Sequence, residues 1–312
     1  MKKPELLVTP HDLKHLEALI AAGADAFILG ETKFSLRLVA DFDLDELQAG
    51  VNLIKAHDKK VYVAINGIMS NSLLADLEEY LSKIKDLPID ALRFTDPGAY
   101  VLAKAIAPQL SLHYSSDALG TNYVTVNYWL ERGIRRVTLA PELTKDAILE
   151  TKHQARGEIE ILIHGAISMF QSRRRLITNY LEFQDNKTTN IGSSQHGYSL
   201  FDQEREVAYP IFEDEQGTHI FNGSDVCMID DLSELIDHDV DSFRIEGLFK
   251  SRDYLIKVTK AYRMALDLCL QNREKYQQIK ETLAQEIVAI QPHDRPLDRG
   301  FFYRPTIYKT KA

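Results

Sequence analysis

Short apolar runs alternate with amphipathic stretches through the first half of the chain. Each run is rich in β-branched or aromatic residues and ends in a polar or glycine-containing loop, which is typical of a buried strand. The stretches between the runs carry apolar residues about every 3.6 positions, as at Leu44, Leu47, Val51 and Ile54, which indicates helices. Strands that alternate with helices predict a parallel sheet. The predicted strands are Glu5–Val8, Ala26–Leu29, Lys60–Ile65, Ala91–Phe94, Leu110–His113, Arg136–Leu139 and Ile159–Ile163.

A different pattern follows the seventh strand. Residues 168–225 are polar, with short alternating runs on either side of Asp214-Glu215-Gln216-Gly217, so we predict a long loop and a β-hairpin there. A connection of this length inside a compact domain is usually functional. The alternation then returns, and it predicts helices over 229–237, 252–270 and 272–288 and an eighth strand, Ser242–Ile245.

Eight strands of this kind predict an α/β fold, a TIM-type (β/α)8 barrel. We expect the barrel to span residues 1–270, with the insertion 168–225 after strand seven. Residues 271–312 are expected to form a C-terminal helix and a docked tail, because Phe301, Phe302 and Tyr303 would be unfavourable in water.

Composition narrows the class of protein. The chain has 312 residues, 45% of them hydrophobic, and no run approaches the roughly 20 apolar residues of a membrane span. Since Met1-Lys2-Lys3-Pro4 leads directly into a predicted strand, we expect a cytoplasmic protein without a membrane partner. The net charge of −9 argues against broad, non-specific nucleic-acid binding. The two cysteines, Cys227 and Cys269, are expected to be buried, inert thiols.

Polar side chains gather where the predicted strands end, which is where barrel enzymes carry their chemistry. Acids and imidazoles there are candidates for proton transfer, and arginines suit carboxylates and phosphates. The predicted catalytic residues are Asp96, Glu142, His164 and Glu246. The predicted substrate-binding residues are Arg37, Asn66, His113, Ser115 and Asn122, together with Arg174 and Arg175 in the insertion. Each has an alternative role as a helix cap or loop brace, and Asp96 before Pro97-Gly98 fits a cap well.

Several familiar chemistries are excluded. The chain has no glycine-rich phosphate loop and no G-x-S-x-G nucleophile motif. His11 and His15 have the spacing of a zinc pair but lack the glutamate of the zinc-protease motif, so we predict a surface helix and no metal site.

Several segments together resemble the collagenase-like peptidases, family thirty-two among peptidases of unassigned mechanism. The resemblance covers about residues 4 to 270. The segments are GADAFILGETKFSLR (23–37), TDPG (95–98), LHYSSDALGTN (112–122), GIRRVTLAPEL (133–143), IEILIHGAIS (159–168), SDVCMIDDLSEL (224–235) and FRIEGLFKSRDYLIKVTKAYRMALD (243–267).

The resemblance implies a barrel core and two kinds of activity. Some members hydroxylate nucleic-acid bases without molecular oxygen, at the tRNA wobble uridine or at a ribosomal RNA cytidine, or assist ubiquinone hydroxylation. Prephenate is implicated in the two RNA reactions, and such members typically hold a four-cysteine iron–sulfur cluster. Others have been called proteases or collagenases.

This chain departs from the family at the cluster. The four cysteine positions correspond to Ser168, Arg175, Ser194 and the segment His196–Tyr198, none of which offers a thiolate. We therefore expect no cofactor bound by this chain alone, with prephenate as a possible co-substrate. The tRNA system of Gram-positive bacteria resembles a pair of such proteins, and this chain looks like the shorter one.

Three hypotheses follow. In the first, the chain is a subunit of a prephenate-linked, oxygen-independent system that hydroxylates the tRNA wobble uridine, with a cluster-bearing paralogue as partner and tRNA bound through the complex. In the second, it is a peptidase in which Asp96, Glu142 and Glu246 share a proton. In the third, it is a non-catalytic scaffold for a catalytic paralogue.

Overall fold

A computed structural model describes residues 2–184 and 198–304. The strands are β1 (Glu5–Val8), β2 (Ala26–Leu29), β3 (Lys60–Ile65), β4 (Ala91–Phe94), β5 (Ser111–Ser115), β6 (Arg136–Thr138), β7 (Glu158–Ser172), β8 (Tyr198–Asp202), β9 (Val207–Asp214), β10 (Gly217–Cys227), β11 (Ser242–Ile245) and β12 (Leu297–Asp298). The helices are α1 (Leu13–Ala21), α2 (Leu44–Ala56), α3 (Asn71–Ile84), α4 (Pro97–Ile106), α5 (Tyr123–Leu130), α6 (Lys145–Gln154), α7 (Leu176–Phe183), α8 (Leu232–Asp237), α9 (Arg252–Gln271) and α10 (Arg273–Ile290).

Eight parallel strands, β1 to β7 and β11, close a barrel. β11 pairs with β1 through Leu6 and Phe243, and with β7 through Phe243 and Ile161, which joins the two ends of the sheet. The apolar faces of the surrounding helices pack on the outer face of the wall, as Leu47 and Ile54 of α2 do. The predicted TIM-type α/β fold is confirmed.

The seventh strand is much longer than the sequence pattern predicts. β7 leaves the barrel after His164 and continues to Ser172 as an antiparallel partner of β10. β9 and β8 extend this sheet, and β9 and β10 form the predicted hairpin at Glu215-Gln216. Helix α7 lies where we predicted a loop, and it contacts β10, which comes much later in the chain. We call residues 168–184 and 198–225 the arm.

The C-terminal segment packs against the barrel and the arm. β12 pairs with β10, Phe302 is buried, and the Phe302 carbonyl accepts a hydrogen bond from the Lys145 amide. The division at residue 270 stays a prediction, and residues 305–312 of the predicted tail lie outside the described residues. Among the helices of 2–184 and 198–304, none is both long and apolar enough to cross a membrane.

The inside of the barrel holds both apolar and charged side chains. Apolar residues of β1 to β4 fill one side, among them Leu7, Ile28 and Tyr62. Next to them, at the amino ends of the strands, Glu5 accepts hydrogen bonds from Arg136 and from the Tyr62 hydroxyl. Burial would raise the pKa of Glu5, but Arg136 and Lys60 outweigh it and lower that pKa to about 2.

Candidate functional site

Four of the predicted site residues meet at the carboxyl end of the barrel. Arg37, Asn66, Ser115 and Glu246 line a cavity of about 30 Å³ that they share with Arg93, Asp117 and Arg244. A neighbouring space of about 10 Å³ is lined by Arg37, Asp117, Ser168, Arg244 and Glu246, among others. We call these two cavities the mouth.

Arginines and carboxylates alternate through the mouth. Arg93 donates two 2.7 Å hydrogen bonds to Glu160 and one of 3.0 Å to the Ser115 hydroxyl. Arg244 lies above this pair, with its Nε 3.5 Å from Glu160 Oε1.

The alternation continues toward the opening. Arg244 donates to Glu246 at 2.9 Å and lies 3.7 Å from Asp117, which also accepts a hydrogen bond from Arg37. Three cations therefore face three carboxylates in a space largely closed to water, where each interaction is stronger than it would be at the surface.

The two carboxyls nearest the opening differ in acidity. Burial raises the pKa of Glu246 above its ordinary value, against the opposing effect of Arg244. Burial would also raise the pKa of Asp117, but Arg37 and Arg244 outweigh it and lower that pKa. Two neighbouring carboxyls with pKa values moved apart are the pattern of a proton donor beside a permanent anion.

Backbone geometry places Glu246 at the mouth. Its amide donates to the His164 carbonyl at 2.9 Å, and its Oε1 accepts from the Leu248 amide at 3.3 Å. Gly165 has a φ of +104°, and a Cβ there would lie 2.5 Å from the Glu246 carbonyl oxygen. Only glycine permits β7 to pass so close.

Arg37 is held by the loop between β2 and α2. Its φ of +56° lies in the left-handed region, which arginine rarely adopts. The loop is braced on β3, because the Ser35 hydroxyl donates to the Ala64 carbonyl at 2.7 Å and the Leu36 amide donates to Asn66 Oδ1 at 3.1 Å. Asn66 thus supports the loop as well as lining the mouth.

A larger groove opens beside the mouth. Its volume is about 650 Å³, within the range of drug-sized ligand sites. It lies between the β2–α2 loop, the β9–β10 turn of the arm and residues 247–251. Arg37 lines both the groove and the mouth, so the two spaces adjoin.

Both predicted histidines lie away from this site. His113 is inside the barrel against the Tyr62 ring, and burial holds its pKa well below the ordinary value. His164 is buried behind the wall, with Nε2 2.8 Å from the Tyr254 hydroxyl and Nδ1 3.3 Å from that of Tyr262.

The remaining predicted residues are also apart from the mouth. Asp96 and Asn122 cap α4 and α5, accepting from the amides of Gly98 and Thr125. Glu142 is exposed in the loop before α6. Arg174 and Arg175 are exposed on the arm, where Arg175 precedes α7.

The sequence does not single out three residues that line the mouth, Arg93, Asp117 and Arg244, or Glu160, which is buried and pairs with Arg93. Asp117 follows Ser115 by two residues. The other three are charges inside strands whose neighbours are apolar: Arg93 in ALRF, Glu160 in EIEI and Arg244 in SFRI. A charge in a buried parallel strand is itself a signal, because it requires a partner inside the barrel.

The family's iron–sulfur cluster does not fit the residues that this chain has at the four positions of the cluster cysteines. Ser168 lines the mouth and Arg175 is exposed on the arm, while Ser194 and His196 lie outside the described residues. Cys227 and Cys269 are buried elsewhere, and burial raises the pKa of both thiols. Within the described ranges, no three His, Cys, Asp or Glu side chains are grouped so that they could hold a metal ion.

Comparisons with known proteins agree with the architecture. Dihydrodipicolinate synthase DapA-2 from Bacillus anthracis superposes with a TM-score of 0.51 at 10% identity, covering 94% of this chain and 85% of that one, which bears on the fold alone.

Two relatives come from Bacillus subtilis (strain 168). The tRNA hydroxylation protein P2 is 47% identical over 310 residues, covering 99% of this chain and 100% of that protein. The tRNA hydroxylation protein P1 is 31% identical over 284 residues, covering 90% of this chain and 67% of that protein. The model of peptidase family U32 matches residues 11–311. The chain belongs to peptidase family U32.

Proposed function

We propose that this chain is a component of a system that hydroxylates the wobble uridine of tRNA at carbon 5. The observation that carries this is the end-to-end match, at 47% identity, with tRNA hydroxylation protein P2. The match includes the barrel, the arm and the C-terminal segment, so it concerns the whole working surface and not the fold alone.

The chemistry of the mouth supports a small carboxylate as co-substrate, and prephenate is our candidate. Arg37 and Arg244 each have a carboxylate partner and further donors, so an incoming carboxylate can join or replace Asp117. Cavities of about 30 and 10 Å³ hold no more than such a group, and the body of the molecule would lie in the adjoining groove. Glu246 is the group placed to exchange a proton with it.

We further propose that the redox chemistry depends on a partner. The cluster positions in the described part of this chain carry serine and arginine, and relatives named P1 and P2 occur together in Bacillus subtilis. A longer paralogue of the P1 kind, with tRNA bound by the complex, is the partner that fits. The chain itself then contributes the mouth and the groove.

Gene deletion in the native cell tests the proposal. The gene is deleted together with any parallel wobble-hydroxylation route, and 5-hydroxyuridine derivatives in total tRNA are measured by mass spectrometry. We expect their loss, and its reversal by a plasmid copy of the gene. Unchanged levels in the doubly deleted strain would refute the proposed function.

The peptidase hypothesis has little support in the site. The acids expected to share a proton, Asp96, Glu142 and Glu246, do not line a common cavity, since the first caps a helix and the second is exposed. The scaffold hypothesis is tested separately. A thermal shift with prephenate that Arg37→Gly abolishes would favour a working pocket, and glycine is chosen because it tolerates the left-handed backbone.

A further inference from the structure

We propose that a carboxylate enters the mouth together with one proton, which Glu246 takes up from the solvent. The inference deepens the proposed function and rests on it, because it takes the mouth as the site of a carboxylate co-substrate. It adds the charge state in which the mouth binds this ligand and the residue whose charge changes. No bond of the ligand forms or breaks in the step.

The charges of the empty mouth balance one another. Three guanidinium groups face three carboxyl groups in and directly beneath it, so the group is neutral when all six are ionised. Arg136, 4.0 Å from Glu160, does not change this balance because it is already bonded to Glu5 and Glu158. The six side chains are Arg244 and Glu246 at β11, Arg93 on β4, Glu160 on β7, and Arg37 and Asp117 in the loops after β2 and β5, while Thr9 and Asn66, which follow β1 and β3, are neutral.

An incoming carboxylate changes this balance. It brings a fourth negative charge to three guanidinium groups, in a space largely closed to water, where a charge without a partner is costly. Uptake of one proton by a resident carboxyl restores neutrality, because it removes one of the four negative charges. Binding of the carboxylate and binding of the proton then favour each other.

Two of the three resident carboxyls are held in the ionised form. Glu160 accepts two hydrogen bonds of 2.7 Å from Arg93, and Arg244 Nε lies 3.5 Å from its Oε1. Asp117 accepts a hydrogen bond from Arg37 and lies 3.7 Å from Arg244. Burial would raise the pKa of both carboxyls, but their guanidinium neighbours outweigh it and lower the two pKa values.

Glu246 is the carboxyl that is held least firmly as an anion. It accepts a hydrogen bond of 2.9 Å from Arg244 and a longer one, 3.3 Å, from the Leu248 amide. Burial raises its pKa above the ordinary value, against the opposing effect of Arg244. When one negative charge of the mouth must be neutralised, the contacts therefore select Glu246.

Protonation of Glu246 also prepares the mouth for the ligand. An ionised carboxyl only accepts hydrogen bonds, whereas a protonated one has a donor as well. That donor can bond an oxygen of the incoming carboxylate. Arg244, which then faces a neutral partner, can turn its own donors to the same group. A single proton thus adds one donor and releases one guanidinium.

Isothermal titration calorimetry of the full chain with prephenate tests the linkage. Titrations at about pH 6 to 9 are repeated in pairs of buffers that differ in enthalpy of ionisation, because the difference in heat gives the number of protons taken up. We expect uptake of about one proton per prephenate over part of this range. In that part, the dissociation constant should rise about tenfold for each pH unit.

Glu246→Gln tests which residue takes up the proton. Glutamine has the shape of the protonated acid but cannot titrate, so this variant should bind prephenate with about one proton fewer than the wild type does. The Leu248 amide keeps its acceptor, so the fold should be preserved. The matched control is Glu142→Gln, at an exposed carboxyl of the rim, and its proton uptake should equal that of the wild type.

Three results would overturn the inference. They are no binding of prephenate, binding without proton uptake at every pH, and equal uptake by the wild type and Glu246→Gln. If Glu246→Gln does not accumulate as folded protein, the heats of the wild type decide alone. Failure of the proposed function is a separate result, because it appears as unchanged 5-hydroxyuridine in the deletion strain, where no binding is measured.

Discussion

Glu246 is the residue on which the chemistry of the mouth depends most directly. It adjoins Arg244, and burial raises its pKa above the ordinary value, which is the direction that favours proton exchange with the carboxylate that we propose to bind there. The opposite shift at Asp117 keeps a fixed negative charge between Arg37 and Arg244. The two carboxyls are therefore not interchangeable, although both contact Arg244.

We expect Glu246→Gln to lower tRNA hydroxylation by about 100-fold or more, because glutamine fills the same space but cannot exchange a proton. The Leu248 amide retains an acceptor in this variant, so the protein should stay folded. The control is Glu142→Gln, at an exposed carboxyl of the rim. Wild-type levels of 5-hydroxyuridine in the Glu246→Gln strain would exclude a proton-transfer role.

His164 makes stability depend on pH. Its pKa is about 3 because of burial, against an ordinary value of 6.5, so between these values only the unfolded chain takes up the proton. Stability is therefore lost as the pH falls from about 6.5 toward 3, at up to about 1.4 kcal/mol per pH unit. The free energy of unfolding is measured with urea at several pH values between 7 and 5. It should fall less steeply with decreasing pH for His164→Gln than for the surface control His153→Gln. Equal slopes would contradict the assignment.

At the residue scale, the sequence predicts several residues that line the mouth but not the charged residues that they contact. Asn66 and Glu246 directly follow predicted strands, and Ser115 lies two residues beyond one. Arg37 is predicted for a different reason, because arginines suit carboxylates and phosphates. His164 also ends a strand segment, yet its side chain points to α9, because alternate residues of a strand face opposite sides of the wall. If the predicted alternation is wrong by one residue, every side chain assigned to the inside of the barrel is in fact on the outside.

At the scale of elements, one buried cluster joins the arm, the β11–α9 loop and the C-terminal segment. Asp225 of β10 accepts hydrogen bonds from Lys250, Gln291 and Arg295. The side chains of Asp225 and Lys250 are fully buried. Burial lowers the pKa of Lys250, which the carboxylate opposes.

We expect Asp225→Asn to lower the free energy of unfolding by about 3–5 kcal/mol, because it leaves two buried cations without a carboxylate. The control, Asp237→Asn, breaks the more exposed pair with Arg273 and should cost less than about 1 kcal/mol. Chemical denaturation of both variants measures the difference. Similar losses for the two would show that the buried cluster does not hold the elements together.

The limits of the barrel strands were predictable, while those of the arm were not. β1 to β4 and β11 have the bounds that the sequence predicts, because strands buried on both faces are rich in apolar residues. The outer half of β7 is paired with β10, about 50 residues later, and no local periodicity reports a pairing of that range. The arm is thus the part of the structure that local patterns describe least well.

At the scale of the whole molecule, the surface suggests an assembly. Exposed apolar side chains are concentrated on the described part of the arm, and they include Met169, Phe170, Tyr180, Phe183, Leu200 and Phe201. An exposed apolar patch of this kind commonly marks a surface that binds another protein. This agrees with a chain that works beside a paralogue.

We expect affinity purification of the tagged chain from its native cell to recover a longer U32 paralogue together with tRNA. Treatment with ribonuclease should remove the tRNA and leave the protein pair, because we expect the contact between the proteins to be apolar. An untagged strain is the control. Recovery of this chain alone at native expression would contradict the assembly.

The alternating charges inside the barrel also limit which amino-acid substitutions can be tolerated during evolution. Arg93 and Glu160 bond each other where water does not reach, so loss of either one leaves a bare charge, whereas joint replacement by apolar residues of similar size is often harmless. A sequence that has replaced only one of the two residues folds poorly, and stepwise replacement must pass through such a sequence. The two positions therefore behave as one inherited unit, and descendants of this sequence should either keep both residues or exchange both together.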